Sequence, residues 1–322
     1  MCGTEIAKDA EGDSIRLGPI FQTWRACDAG AADDETSSRI ALETVLDLSI
    51  RTSAWAIKKA LIFVLSRIEI FMTMNPSTTH IVLIPCYNPG VKVIELMRKV
   101  RAEWSPVWVV VDGSTDTSTA LILALAEQDA GLKVVVQPRN GGKGSAVLRG
   151  ITDALQQGYS HALTMDADGQ HPVGLIRKFM ARSMAEPDCL ILGKPVFDAS
   201  APALRVNGRK VSNGWANLET LWAGVGDSLY GFRVYPMREL QAVMLRSRWM
   251  RRFDFDPEVA VRLCWAGLKP VNIDAPVQYF GADEGGVSHF KYGRDNLLLT
   301  WMHARLFVEF LFRLPQLVVR RK

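Results

Sequence analysis

HIVLIPC (80–86) is a run of apolar and β-branched residues without polar alternation. The pattern returns as VWVVV (107–111), LKVVVQ (132–137), HALTMD (161–166) and DCLILG (188–193). A strand apolar on both faces belongs in a sheet covered on both sides. Between the runs, segments near 90–103, 116–128, 143–157 and 172–186 read as helices. Strands alternating with helices predict an α/β fold, a mostly parallel sheet sandwiched by helices. Ligands of such sheets sit beyond the carboxyl ends of the strands, so the residues just after each run are the ones that carry chemistry.

Those ends read Pro85-Cys86-Tyr87-Asn88, Asp112-Gly113-Ser114-Thr115-Asp116, Arg139-Asn140-Gly141-Gly142-Lys143-Gly144-Ser145 and Asp166-Ala167-Asp168-Gly169-Gln170-His171-Pro172. The fold directs all four at one crevice. The glycine-rich stretch fails as a phosphate loop, because Gln137 stands six before Lys143 and Gly144 replaces the Ser or Thr that binds magnesium. It survives as a turn opening a helix, whose free amides and Lys143 suit a diphosphate; a helix start that needs glycine for sterics is the other reading. Asp112 suits the imide or amide edge of a nucleobase, and Asp116 suits a helix cap. Asp166 and Asp168, two apart at a strand end, point the same way. A divalent cation removes their repulsion, and an all-oxygen set favours Mg²⁺ or Mn²⁺, with Gln170 as a further ligand. A polar turn is the bland alternative. His171-Pro172 is assigned to helix entry.

In order, P-C-Y-N, V-D-G-S-x-D, N-G-G-K-G-x-A-x-x-x-G, D-A-D-G-Q-H-P and G-F-R-x-Y-P over residues 79–290 resemble glycosyltransferase family 2, and within it the dolichyl- and polyprenyl-phosphate mannosyl- and glucosyltransferases. The resemblance implies a GT-A type nucleotide-sugar-binding fold. It implies donor contacts from Pro85, Tyr87, Asn88, Asp112, Asn140, Lys143 and Asp166, and a metal held by Asp166, Asp168 and Gln170. Family members usually carry two consecutive aspartates before Gly-Ser; here the first position is Val111, which leaves Asp112 alone in that role. Arg233, His289 and Lys291 are expected at the acceptor or the diphosphate, with a structural ion pair as the rival role for Arg233. The family's catalytic carboxylate falls among RRFDFDPEVAVRLCWAG (251–267), with Asp256 and Glu258 as candidates. Asp256 before Pro257 also reads as an N-cap.

The rest of the chain bounds this reading. At 322 residues and 48% hydrophobic, it has enough material for a full core. Five scattered cysteines show no C-x-x-C pair, which argues against a disulfide framework and fits a reducing cytosolic setting. Residues 1–47 carry ten acidic and four basic side chains, the remainder 34 basic against 24 acidic. The basic part suits an anionic small molecule or membrane surface, and no basic–aromatic alternation favours nucleic acid. The N-terminus does not read as a secretory signal.

The expected organisation is an N-terminal extension over 1–74 with a helix near 55–71, a GT-A catalytic domain over 75–285, and a C-terminal amphipathic helix with a basic tail over 286–322. In that last segment Arg305, Glu309 and Arg313 are expected to form one ion-paired stripe, and Trp301 with many Leu and Phe suits a helix lying in a membrane interface. Packing of the helix against the catalytic domain is the alternative. The function that follows is a metal-dependent inverting transfer from a nucleoside diphosphate sugar to a lipid-linked or cell-envelope acceptor, peripheral on the cytoplasmic membrane face. A sugar-1-phosphate nucleotidyltransferase and a non-catalytic nucleotide-sugar-binding protein are the alternatives.

Overall fold

Apolar runs become strands where the sequence places them. The computed structural model describes residues 6–8, 14–16, 76–197, 203–277 and 292–320. The chain divides into two compact units, Met1–Met74 and Asn75–Lys322. In the first, β1 (Ile6–Lys8) pairs antiparallel with β2 (Ser14–Arg16). The helix expected near 55–71 lies outside the described residues.

In the second unit, β3 (His80–Cys86), β4 (Val107–Asp112), β5 (Leu132–Gln137), β6 (His161–Thr164) and β7 (Cys189–Val196) alternate with helices α1 (Val93–Glu103), α2 (Ser118–Ala126), α3 (Lys143–Gln156) and α4 (Ile176–Ala185). Later come α5 (Ala203–Glu219), β8 (Arg233–Pro236), α6 (Met237–Leu245), α7 (Phe255–Ala266), β9 (Lys269–Pro276) and α8 (Tyr292–Arg320). The sheet order is β5-β4-β3-β6-β8-β7-β9. Its pairs are parallel except β6–β8 and β7–β8. After β5 the chain returns to the far side of β3 to lay down β6, and a reversal of this kind opens a crevice at the carboxyl ends of the strands.

Successive β3 side chains enter opposite layers. Val82 and Ile84 pack with Val93, Met97 and Phe179, whereas Ile81 and Leu83 pack with Val147, Ile151 and Leu240. Every residue of β3 is buried, which explains its apolar run. Each fully buried Ile, Leu or Val contributes roughly 1.5–3 kcal/mol relative to exposure. Val111, where the family pattern has an aspartate, is a core residue at the end of β4.

A third cluster, Ala216, Val261, Trp265, Met302, Leu306 and Phe310, seats α8 on α5 and α7. The terminal helix is therefore part of the same unit as the sheet. Its other side exposes Trp301, Val308, Phe312 and Val319. Among the described residues no helix is long and apolar enough to cross a membrane.

Candidate active site

Asp112, the last residue of β4, is 2% exposed and faces the glycine-rich loop. Its Oδ1 accepts from the Gly141 amide at 2.9 Å and from Gln137 Nε2 at 3.1 Å, and its Oδ2 accepts from the Gly142 amide at 2.7 Å. These amides stand at the entrance to α3, where a carboxylate is favoured. The approach is close enough to demand glycine next door: at Gly113, with φ +65°, a Cβ would lie 2.5 Å from the Arg139 carbonyl carbon. Asp112 thus shapes the loop while still lining the groove.

That loop delivers Lys143, the first residue of α3. Its Nζ lies 2.6 Å from Asp166 Oδ1 and 2.7 Å from Asp256 Oδ2. Asp166 follows β6 and Asp256 stands in the first turn of α7, so one ammonium joins two distant segments. The strand of the D-A-D-G-Q stretch stops at Thr164, so Asp166 and Asp168 lie in the turn beyond it rather than on a strand face. Burial disfavours the charge on Asp166, but Lys143 and the neighbouring His171 and Arg233 outweigh it and hold this carboxyl below its ordinary range. Asp168 is pushed the other way, by burial and by the charge of Asp166. It accepts the Gln170 amide at 3.0 Å. Asp256 Oδ1 is buried and has no hydrogen-bond partner.

Two residues of this site carry more than the sequence assigned them, His171, read as helix entry and local geometry, and Tyr230, given no role. His171 Nδ1 accepts the Asp166 amide at 3.0 Å, which fixes the neutral tautomer with the proton on Nε2, 3.6 Å from Asp166 Oδ2. Burial lowers its pKa, which agrees with that neutral form. It packs edge-on against Tyr230, whose hydroxyl is buried without a partner and whose pKa is raised by burial and by Asp166. His171 therefore fixes the acidic turn as well as the helix entry. The signal for Tyr230 was its place in GDSLYGF, where only Arg233 drew notice.

Other expectations resolve differently. Asn88, with φ +43°, accepts the Thr115 amide at 2.7 Å and ties the end of β3 to the end of β4. Asp116 accepts the Ser118 amide at 3.2 Å and the Gly90 amide at 3.0 Å, but the residue preceding α2 is Thr117, so Asp116 lies one position before the cap it was expected to fill. Arg233 does not meet a phosphate. It is fully buried and donates to the carbonyls of Tyr230, Asp256, Ser228 and Asp227. A guanidinium committed to four backbone acceptors is a structural clamp, and its partners are carbonyls rather than the carboxylate expected of the rival role.

Glu258, the other candidate carboxylate, does not line the groove. It is fully buried and bonded to Arg262 at 2.7 Å and to Arg305 at 2.6 Å. The stripe on α8 is correspondingly broken, because Glu309 pairs with Arg313 and Arg262 while Arg305 turns to Glu258. The residue preceding α7 is Asp254, so Asp256 lies inside the first turn and is not the cap. His289 and Lys291 lie outside the described residues.

Pro85, Tyr87, Asn88 and Asn140 line one groove together with Lys143, Asp166, Asp168, Gln170 and Asp256. Its volume is about 2010 Å³, roughly twice the upper end for a single small-molecule site. From the strand ends it continues between α5 and α8, past Trp215, Leu299 and Phe307.

A mostly parallel, helix-covered sheet with an acidic turn at its switch point is a GT-A type nucleotide-sugar-binding fold. The crystal structure of M. tuberculosis glucosyl-3-phosphoglycerate synthase shares this fold, with a TM-score of 0.51 at 15% identity over 74% of this chain and 81% of that one. Residues 81–223 match the family model described as glycosyl transferase family 2, and with the relatives that follow this makes the chain a glycosyltransferase. Polyprenol monophosphomannose synthase of Mycolicibacterium smegmatis is 27% identical over 208 residues, 62% of this chain and 78% of that protein. A dolichyl-phosphate beta-glucosyltransferase of Trichomonas vaginalis is 26% identical over 211 residues, 60% of this chain and 61% of that protein. The resemblance seen in the motifs is borne out.

Proposed function

We propose that this glycosyltransferase is metal-dependent and inverting, and that it moves a hexose from a nucleoside diphosphate sugar to a polyprenyl or other lipid-linked phosphate at the cytoplasmic face of a membrane. The observation that carries this is the meeting of Asp166 and Asp256 at one groove with the motif residues from four strand ends. The relatives named for polyprenol and dolichyl phosphate support the acceptor class.

The donor set fits a divalent cation. Asp166, Asp168 and Asp256 bring three carboxyl groups to the site beside Lys143, the buried Arg233 and a neutral His171, and Asp256 Oδ1 has no partner. Among the described residues no three His, Cys, Asp or Glu side chains form a ready-made cage, so a magnesium-type ion here would need further oxygens from water or substrate. Asp166 and Asp168, with Gln170, would hold Mg²⁺ or Mn²⁺, which supplies charge stabilisation for the leaving diphosphate.

Pro85, Tyr87 and Asn88 bound the nucleoside end, and Asp112 keeps the glycine loop in register for the diphosphate. The acceptor oxygen attacks the anomeric carbon as the bond to the diphosphate breaks. A phosphate acceptor is already an anion and needs no base; with a hydroxyl acceptor, the unpartnered oxygen of Asp256 takes the proton. The groove between α5 and α8 leaves room for the acceptor, and exposed Trp301 and Phe312 suit a membrane interface.

The test combines the full chain with UDP- and GDP-hexoses, Mn²⁺ and a polyprenyl phosphate, and reads free nucleoside diphosphate and glycolipid. Turnover that stops in chelator supports the reading. Pyrophosphate release from a nucleoside triphosphate and a sugar phosphate would replace it with a nucleotidyltransferase, and donor binding without turnover would leave a binding protein.

A further inference from the structure

Lys143 stands where a cation is needed, and its surroundings favour the carboxylates over any other partner. Its ammonium is near-equidistant from Asp166 Oδ1 and Asp256 Oδ2, at 2.6 and 2.7 Å. It projects from the first residue of α3, and a positive charge is disfavoured at a helix N-terminus. The two carboxylates therefore supply the attraction that holds it there. The wall beside it is cut back to make room: a Cβ on Gly231 would lie 2.4 Å from Lys143 Nζ and 3.1 Å from Asp166 Oδ2.

We propose that Lys143 is a tethered counter-ion that sets the charge selectivity of the metal site. In the metal-free enzyme its ammonium bridges Asp166 and Asp256, and an incoming cation must displace it from Asp166. A monovalent ion brings the same charge as the ammonium and lacks its tether, so it gains nothing by exchange. A divalent ion brings twice the charge and wins, and the released ammonium remains at the groove, free to meet the diphosphate. The same side chain thus keeps the carboxylates compensated when the site is empty and excludes potassium or sodium. This inference rests on the proposed metal site and adds how that site chooses its ion.

The experiment titrates Mn²⁺ into the full chain without donor, by calorimetry, in the absence and presence of excess K⁺. The wild-type chain is expected to bind Mn²⁺ with little response to K⁺ beyond ionic-strength screening, matched with a tetramethylammonium control. Lys143→Met and Lys143→Gln remove the charge and are expected to tighten Mn²⁺ binding by roughly tenfold or more, and to make it sensitive to K⁺ competition. Lys143→Arg keeps the charge and is expected to do neither. Two neutral variants are used so that either reports if the other does not fold. Folded neutral variants that bind Mn²⁺ no more tightly than wild type overturn the role of Lys143. Asp166→Asn separates the two levels: if Mn²⁺ binding is absent from the wild type or indifferent to that change, the metal site itself fails, and this inference with it.

Discussion

Replacing Asp112 with asparagine tests whether this residue shapes the glycine loop or only contacts a nucleobase. The side chain is almost isosteric, but one of its two acceptors becomes a donor. In the native site Oδ2 accepts the Gly142 amide at 2.7 Å, while Oδ1 serves Gly141 at 2.9 Å and Gln137 at 3.1 Å. Whichever way the new amide turns, an N–H group is set against a backbone N–H. At least one charge-assisted bond, about 1.5–3 kcal/mol, is lost, and a buried donor is left unsatisfied, so a loss of roughly 2–4 kcal/mol is expected. In a unit of this size that lowers Tm by roughly 5–15 °C. The assay is denaturant unfolding of the full chain, paired with a thermal-shift titration of nucleoside diphosphate and Mn²⁺. Because the loop carries Lys143, weaker diphosphate binding is expected along with the loss of stability. A variant destabilised by less than about 0.5 kcal/mol, the range of an ordinary surface change, but altered in its choice of base would refute the structural role and return Asp112 to base recognition.

Arg233→Lys is expected to cost roughly 3–5 kcal/mol in denaturant unfolding, because one ammonium cannot reproduce the fork that serves four carbonyls and stranded buried acceptors are expensive; a folded variant with a large rise in acceptor KM alone would restore the phosphate role. Glu258→Gln leaves Arg262 and Arg305 without their shared anion, a loss of about 3–5 kcal/mol for a buried pair. Hydrogen exchange is expected to show α8 loosened, and an intact fold with abolished turnover would reinstate Glu258 as the active carboxylate. Burial pushes the Cys86 thiol up to about 12, with help from Asp116, and burial also drives Cys264 to about 12. Iodoacetamide at pH 8 is therefore expected to spare both thiols in the folded chain, Cys86 because it is buried and the half-buried Cys264 because it stays protonated, and rapid labelling of Cys86 before unfolding would contradict its burial.

The strand runs were legible because β3, β4 and β6 are buried along their whole length, while β7 keeps a buried stretch from Leu190 and the edge strand β5 still carries Val134 to Val136. Short β8, RVYP, gives no such signal: Arg233 interrupts it, and its place in the sheet comes from antiparallel pairing with β6 and β7. β9, KPVNIDAP, is equally hard to see, because its burial alternates regularly only from Asn272 onward and two prolines interrupt the strand signal. At the site, residue types and order placed Asp166, Asp168, Lys143 and Asp256 near one crevice. Their division of labour was not legible, because it depends on which partner each side chain meets. Arg233 and Glu258 drew notice through the family resemblance, yet Arg233 is spent on backbone carbonyls and Glu258 on Arg262 and Arg305. Lys143 shows the converse, a residue read as a phosphate ligand whose partners in this structure are two carboxylates.

Asp256 and Glu258 show how the two ends of the groove are connected. They sit two apart in the first turn of α7, and at about 100° per residue their side chains leave the helix in roughly opposite directions. Asp256 turns to Lys143 and the strand ends, and Glu258 turns to Arg305 of α8. Arg305 also lies 4.5 Å over the Trp249 ring, just before α7, so α8 is fastened to the same turn that carries Asp256. The backbone carbonyl of Asp256 is in turn held by Arg233 at 2.6 Å. One helical turn is therefore fixed from three sides: by the donor-loop lysine, by the β8 arginine and by the long C-terminal helix. The residues that seat α8 and those that hold Lys143 therefore share one turn of α7, whose backbone Arg233 holds in place.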